Sequence, residues 1–311
     1  MAFEVSAAVV AGPCRSRVQR VINALCAQSA LQSMEIIIVD LVPATVPRLE
    51  AASNATVVYL ARSDITRWGQ ARMEAVKVAR APIIAFIEDH CFPSRNWAER
   101  LIEAHEGPWA GIGYAFTNAN PKSFVSRVAM LARYGVFVHP AHSGPSRYIS
   151  GNNVSYKRDI LLGLGERLEM LLDIDFNLQE ELVRRNRGLF IEAGAIAAHQ
   201  NYTSLRGECR TGRPYCRLLA AHRARVNAWG RLRRLFYGVL VPLGAPALRL
   251  ARLIRSLRGR RSLWTTFVFG IPMITIMYLS DALGESAGYL FGIGEAEREV
   301  LRYELETERD L

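Results

Sequence analysis

Glu88, Asp89 and His90 stand in a row directly after a short, unbroken apolar run, Pro82-Ile83-Ile84-Ala85-Phe86-Ile87. Such a run suits a strand buried on both faces of a parallel sheet. It ends abruptly on two carboxylates and an imidazole, and Pro93 prevents the strand from continuing. Open α/β sheets place their ligands at this C-terminal strand edge. Carboxylate oxygen and imidazole nitrogen together suit a divalent cation, Mn²⁺ or Mg²⁺, carrying a phosphate. A solvated turn would accept the same three residues, so their weight depends on the surrounding elements.

Those elements alternate. Phe3 to Ala11 reads as a first strand, and Ser16 can cap a helix with Val18, Val21, Ile22 and Leu25 at helical spacing. Glu35 to Asp40 is a second buried strand ending on a carboxylate, Thr56 to Leu60 a third, and Arg67 to Ala79 a helix leading into the Pro82 strand. This β-α-β-β-α-β order predicts a mostly parallel sheet with right-handed crossovers, which puts Asp40 and Glu88-Asp89-His90 on one edge. No GxGxxG follows the first strand, so a dehydrogenase-type dinucleotide fold is not supported. The five cysteines show no paired spacing, which argues against a zinc site or a disulfide framework and fits a reducing compartment. Met1-Ala2-Phe3-Glu4-Val5 lacks the basic start of a signal peptide.

The order resembles the nucleotide-sugar half of a family 2 glycosyltransferase of the GT-A fold type. It has a strand ending in Asp, the helix element Gly69-Gln70-Ala71-Arg72-Met73-Glu74-Ala75, and a strand running into the acidic group Glu88-Asp89-His90. Phe92-Pro93-Ser94-Arg95-Asn96-Trp97 and Arg147 to Arg158, with Gly151, Asn152 and Asn153, fit the same pattern, and the resemblance covers roughly Val5 to His199. It departs in two places: the family more often has Arg-Asn-x-Gly in the helix and Asp-x-Asp at the metal.

The resemblance implies an α/β fold, a Rossmann-like mostly parallel sheet flanked by helices. It implies transfer of a sugar from a nucleoside-diphosphate donor, UDP-sugar favoured, to an acceptor hydroxyl, with metal dependence and inversion. Asp40 and Arg72 would hold nucleobase and phosphate, Gly151, Asn152 and Asn153 would line the donor site, and Glu88 or Asp89 would hold the ribose or a metal water. Asp89, His90 and His199 are the implied metal residues.

Counting back from His199 without gaps puts Asp175 on the family's catalytic aspartate and Asn186 on its glycine, with Asp173 as the alternative base. By residue type alone, Asp173 reads as the N-cap of the helix that follows it. Asp175 in the first turn would be favoured by the helix dipole. The rival function is a non-catalytic, membrane-associated scaffold that keeps the sugar-nucleotide fold.

The C-terminal third is different. Arg206 to Arg261 holds fifteen arginines, one acidic residue and no lysine, or +14 against +10 for the whole chain, so the remainder carries −4. Domains 1–205 and 206–311 follow from this shift. Leu235 to Leu248 is apolar but interrupted by Gly238, Pro242, Gly244 and Pro246, and Leu263 to Leu279 is interrupted by Gly270 and Pro272. A span needs about 20 apolar residues, so a helical segment lying on an anionic leaflet is expected, although a single span at 263–280 stays open. Arginines beside apolar, aromatic-tipped helices favour a membrane surface over a homo-oligomer interface. Nucleic acid is disfavoured because no binding motif accompanies the charge. The expected location is the cytoplasm, on the inner face of the membrane, near an acceptor that would be lipid-linked.

Overall fold

The computed structural model describes residues 2–307 and 309. The chain forms two compact units, Met1–Thr117 with His139–His199, and Asn118–Val138 with Gln200–Leu311.

The first unit is built on β1 (Val5–Ala11), α1 (Arg15–Cys26), β2 (Met34–Asp40), β3 (Thr56–Ala61), α2 (Trp68–Val78) and β4 (Ile83–Ile87). Short strand β5 (Cys91–Pro93), α3 (Trp97–His105) and β6 (Gly111–Asn118) follow. The second unit takes α4 (Phe124–Tyr134), and the chain returns to the first with β7 (Gly144–Ser146) and β8 (Val154–Lys157). Helices α5 (Arg158–Leu162), α6 (Leu168–Leu172) and α7 (Asp175–Arg184) lead to the long strand β9 (Leu189–His199). A single strand thus runs up to His199.

The sheet runs β3-β2-β1-β4-β8-β6-β9-β5, with β7 on β9. Pairing is parallel from β3 through β4, where β1, β2 and β4 are buried at every position, as the continuous apolar runs require. Beyond β4 it turns antiparallel, at β4–β8, β6–β8, β5–β9 and β7–β9. The expectation of a parallel sheet thus describes its first half.

Two register facts position the site. The parallel strands β2 and β4 end on the same edge, at Asp40 and just before Glu88. The antiparallel pair β5–β9 sets Cys91 opposite His199, which brings His199 within one residue of His90.

The second unit continues with α8 (Leu205–Val226), α9 (Arg231–Ser256), α10 (Arg261–Phe291) and α11 (Ala296–Glu306). Helix α9 runs through Pro242 and Pro246, and α10 through Pro272, where breaks were expected. Proline removes the amide that would reach the carbonyl four residues earlier. For Pro242 that acceptor is the Gly238 carbonyl, and Ser286 Oγ of α10 donates to it instead, at 2.6 Å. Gly284 and Gly288 let α10 meet α8 backbone to backbone, since a Cβ at either would run into the carbonyls of Arg213 or Arg217. Val128, Leu131, Leu253, Phe267, Ile274 and Tyr278 form this unit's apolar core. Two buried carboxylates are joined by the half-buried Arg133, whose Nε meets Glu208 at 3.1 Å and whose Nη1 meets Asp281 at 2.5 Å. Arg249 lies 3.5 Å from Asp281 and 2.6 Å from Glu285.

Candidate active site

Asp40 closes β2 and is 3% exposed. Arg15, from the first turn of α1, grips both its oxygens at 2.8 and 2.9 Å, and the Tyr59 hydroxyl of β3 also donates to it. Burial first, and then the hydrogen bond to Asp40, push the Tyr59 phenol above its ordinary pKa, so it stays a donor. Neither partner was read from the sequence. Arginine directly after a β1 edge was the available signal.

Glu88 is held in place by the segment before β8. Asn152 Nδ2 donates to Oε1 at 2.7 Å and Asn153 Nδ2 to Oε2 at 2.5 Å, while the Glu88 amide donates to Asn153 Oδ1 at 2.9 Å. Asp89 turns another way: Arg17 of α1 donates to Oδ2 at 2.7 Å, and His90 Nδ1 lies 2.8 Å from Oδ1. His90 Nε2 then faces His199 Nε2 at 3.1 Å, and Glu88 Oε2 lies 3.5 Å from the first and 3.3 Å from the second. The converging donor set is therefore Glu88, His90 and His199, all buried. Asp89, expected in that set, stands behind His90 and orients its ring. The reason is local: β4 ends by sending Glu88 toward the Asn152-Asn153 side and Asp89 back toward α1.

Arg72 of α2 is 2% exposed. Its Nη1 donates to Asp175 Oδ2 at 2.7 Å, and its Nη2 donates to the Asn152 carbonyl at 3.3 Å and to Asn152 Oδ1 at 3.1 Å. The guanidinium sits over Trp68 and Phe86, 5.4 and 5.1 Å from their ring centres. Arg72 was expected on the donor phosphate, and the structure commits it to Asp175.

Asp175 begins α7 and is fully buried. Besides Arg72 it accepts from the Asn152 amide at 2.7 Å and from the Tyr156 hydroxyl at 3.3 Å. Burial, and then the Asp175 charge, hold the Tyr156 phenol well above its usual range, so it donates. Three donors on one carboxylate fix its orientation.

Asp173 does not cap the helix after it. Ile174 takes that N-cap position in extended backbone. Asp173 accepts instead from the Gly69 amide at 2.7 Å, in the first turn of α2, with Arg67 3.5 Å away. It is a cap in the structural sense expected, supplied to a different helix. Asn186 has φ +56°, the left-handed conformation for which asparagine can stand in for glycine. Gly151 and Asn152 lie between Ser150, whose carbonyl accepts from Gln179 of α7 at 3.4 Å, and Asn153. Asn152 has φ +63°.

The comparisons with known proteins agree with this architecture. Residues 6–162 match the model of the family described as glycosyl transferase family 2. Among solved structures, the chain is similar to the mannosyltransferase PcManGT from Pyrobaculum calidifontis, in complex with GDP-Man and Mn²⁺. The TM-score is 0.57 at 12% identity, over 92% of this chain and 86% of that one. No curated protein sequence matches. At that identity the neighbour speaks for the GT-A fold alone, but the family match spans half the chain, and with it this chain is a member of glycosyl transferase family 2.

Proposed function

We propose that the chain transfers a sugar from a nucleoside-diphosphate donor to an acceptor hydroxyl, with a divalent cation and inversion at the anomeric carbon. The observation that carries this reading is the convergence of Glu88, His90 and His199 on the sheet edge that also bears Asp40. The donor atoms suit a divalent ion, and when bound it would offset charge on the departing diphosphate. Asp40, kept in place by Arg15 and Tyr59, holds the nucleobase. Asn152 and Asn153 orient Glu88. Asp175 accepts the acceptor's proton. Arg72 and Tyr156 aim its carboxylate, and the hydroxyl reaches it once the Asn152 amide contact opens.

The test is calorimetric titration with UDP and GDP, each with and without Mn²⁺, followed by a screen of UDP-, GDP- and TDP-sugars. GDP belongs in the panel because the structural neighbour holds GDP-Man. Cation-dependent binding of a nucleoside diphosphate is expected, and binding of none of them would leave the scaffold reading standing.

We also place the protein on an anionic membrane surface, with a lipid-linked acceptor. Helices α9 and α10 are both long and apolar enough to cross a membrane. Leu243, Phe236 and Val239 of α9 and Phe269 and Val268 of α10 are exposed. The carboxylates Asp281 and Glu285 are buried and met by arginine, so α10's exposed side carries no charge from Trp264 to Leu283. Its buried side lies on α8, whose exposed positions include Arg210, Arg213 and Arg225, and this favours lying in the interface over crossing. Binding to anionic vesicles should fall with salt, each arginine contributing about 1 kcal/mol at most. Equal partitioning into neutral vesicles would remove the electrostatic part. Protease protection of residues 281–311 in sealed vesicles would show that α10 crosses.

A further inference from the structure

The metal group differs from an all-oxygen site in a way that has a chemical consequence. Only one of its three members, Glu88, is a carboxylate; the other two donors are imidazole nitrogens. His90 Nδ1 lies 2.8 Å from Asp89 Oδ1, and an Asp carboxylate held by Arg17 at 2.7 Å accepts and does not donate. The proton therefore sits on Nδ1, and His90 Nε2 presents a lone pair. That lone pair faces His199 Nε2 at 3.1 Å. Two ring nitrogens so close need a proton or a cation between them. Glu88 Oε2, within 3.5 Å of both, adds the negative charge that favours a cation.

The spacing agrees. Ligands about 2.1 Å from one ion lie roughly 3.0–3.4 Å apart in octahedral or tetrahedral arrangements; two of the separations here, 3.1 and 3.3 Å, fall in that range, and the third, 3.5 Å, lies just above it. Guanidinium, carboxylate and imidazole in line are the outer support that a metal-binding histidine needs. Mg²⁺ prefers oxygen and keeps its water, whereas imidazole suits first-row transition ions.

We infer that this site selects a nitrogen-accepting first-row ion over Mg²⁺, binding Co²⁺ or Zn²⁺ more tightly than Mn²⁺ and Mg²⁺ least, and that Asp89 and Arg17 are positioning residues for His90. The inference rests on the glycosyltransferase reading for what the ion does there, and on the three donors alone for which ion it is.

The experiment titrates the chelator-treated full chain with Mn²⁺, followed by electron paramagnetic resonance, without nucleotide and with Mg²⁺, Co²⁺ or Zn²⁺ as competitor. The Co²⁺ form is read separately by its visible spectrum. Co²⁺ and Zn²⁺ should displace Mn²⁺ at comparable or lower concentration, and Mg²⁺ only at an excess of about 100-fold or more. Asp89→Asn should weaken Mn²⁺ binding about 10- to 100-fold, as loss of an outer partner does. His90→Asp should narrow the Mn²⁺ preference over Mg²⁺ about tenfold by replacing nitrogen with oxygen. Thermal melting of both variants separates a lost ligand from a lost fold. Mg²⁺ competing on equal terms, or His90→Asp leaving the preference unchanged in a folded protein, overturns the inference. So does a free protein that takes up no Mn²⁺. Repeating the titration with GDP or UDP then distinguishes the cases: uptake only with nucleotide keeps the transferase and discards the preformed site, and no uptake with either discards both.

Discussion

Asp175→Asn should reduce sugar transfer about 10²–10⁴-fold, the range lost with a general base, while nucleotide binding persists. Asparagine keeps an oxygen for Arg72 and the Asn152 amide, so the local geometry has a replacement acceptor. What it lacks is the charge and the capacity to take a proton. The paired control is Asp173→Asn, which weakens the cap on α2 and should cost about 1 kcal/mol of stability with little loss of turnover. Urea denaturation and single-turnover transfer, measured on both variants, decide the matter. Loss of turnover in Asp173→Asn with turnover spared in Asp175→Asn would exchange the two roles.

The largest stability loss is expected at Arg133→Met. Methionine fills much of the same volume but strands two carboxylates, Asp281 at 3% and Glu208 at 5% exposure. Removing one partner from a buried ion pair costs about 3–5 kcal/mol, because the remaining charge stays out of water uncompensated. Arg249 is 3.5 Å from Asp281 and offsets part of that, so the lower end is expected. Arg298→Ala, which removes an exposed pair with Glu295, should change stability by less than about 1 kcal/mol. Denaturant midpoints for the two variants that fall together would show that the Arg133 cluster contributes nothing beyond a surface contact.

What could be read in the sequence divides along physical lines. Strands β1, β2 and β4 were legible because burial on both faces leaves an uninterrupted apolar run, and their carboxylate ends were legible because nothing apolar requires them. Arg15, Arg17, Tyr59 and Tyr156 were not, since their roles come from strand order and helix placement rather than from neighbours in the chain. Asp173 was legible as a cap but not as the cap of α2, which lies a hundred residues earlier. The prolines of α9 and α10 pointed to breaks because propensity counts the lost amide. It cannot count Ser286, which supplies a substitute donor from another helix. Asn118–Val138 sits within the first domain by position and belongs to the second unit by packing, through Val128, Leu131 and Arg133. Gly284 and Gly288, four apart, were the overlooked signal that α10 meets a neighbouring backbone.

Asn152 links groups that would serve opposite substrates. Its side chain donates to Glu88 and accepts from Arg72, while its backbone amide donates to Asp175. An ion at Glu88 Oε2 would compete directly with Asn153, and would reach Asn152, which holds Oε1, only as the carboxylate turns; a turn that releases the Asn152 side chain would loosen its amide's hold on Asp175. On the proposed function this would set the timing of catalysis. Asp175 would be unmasked after donor and ion arrive, donor would enter first and acceptor second, and water would meet a masked carboxylate in the resting protein. An unreactive acceptor analogue should then inhibit uncompetitively against donor; a noncompetitive pattern would mean that the two halves of the site fill independently, and a competitive one that they exclude each other.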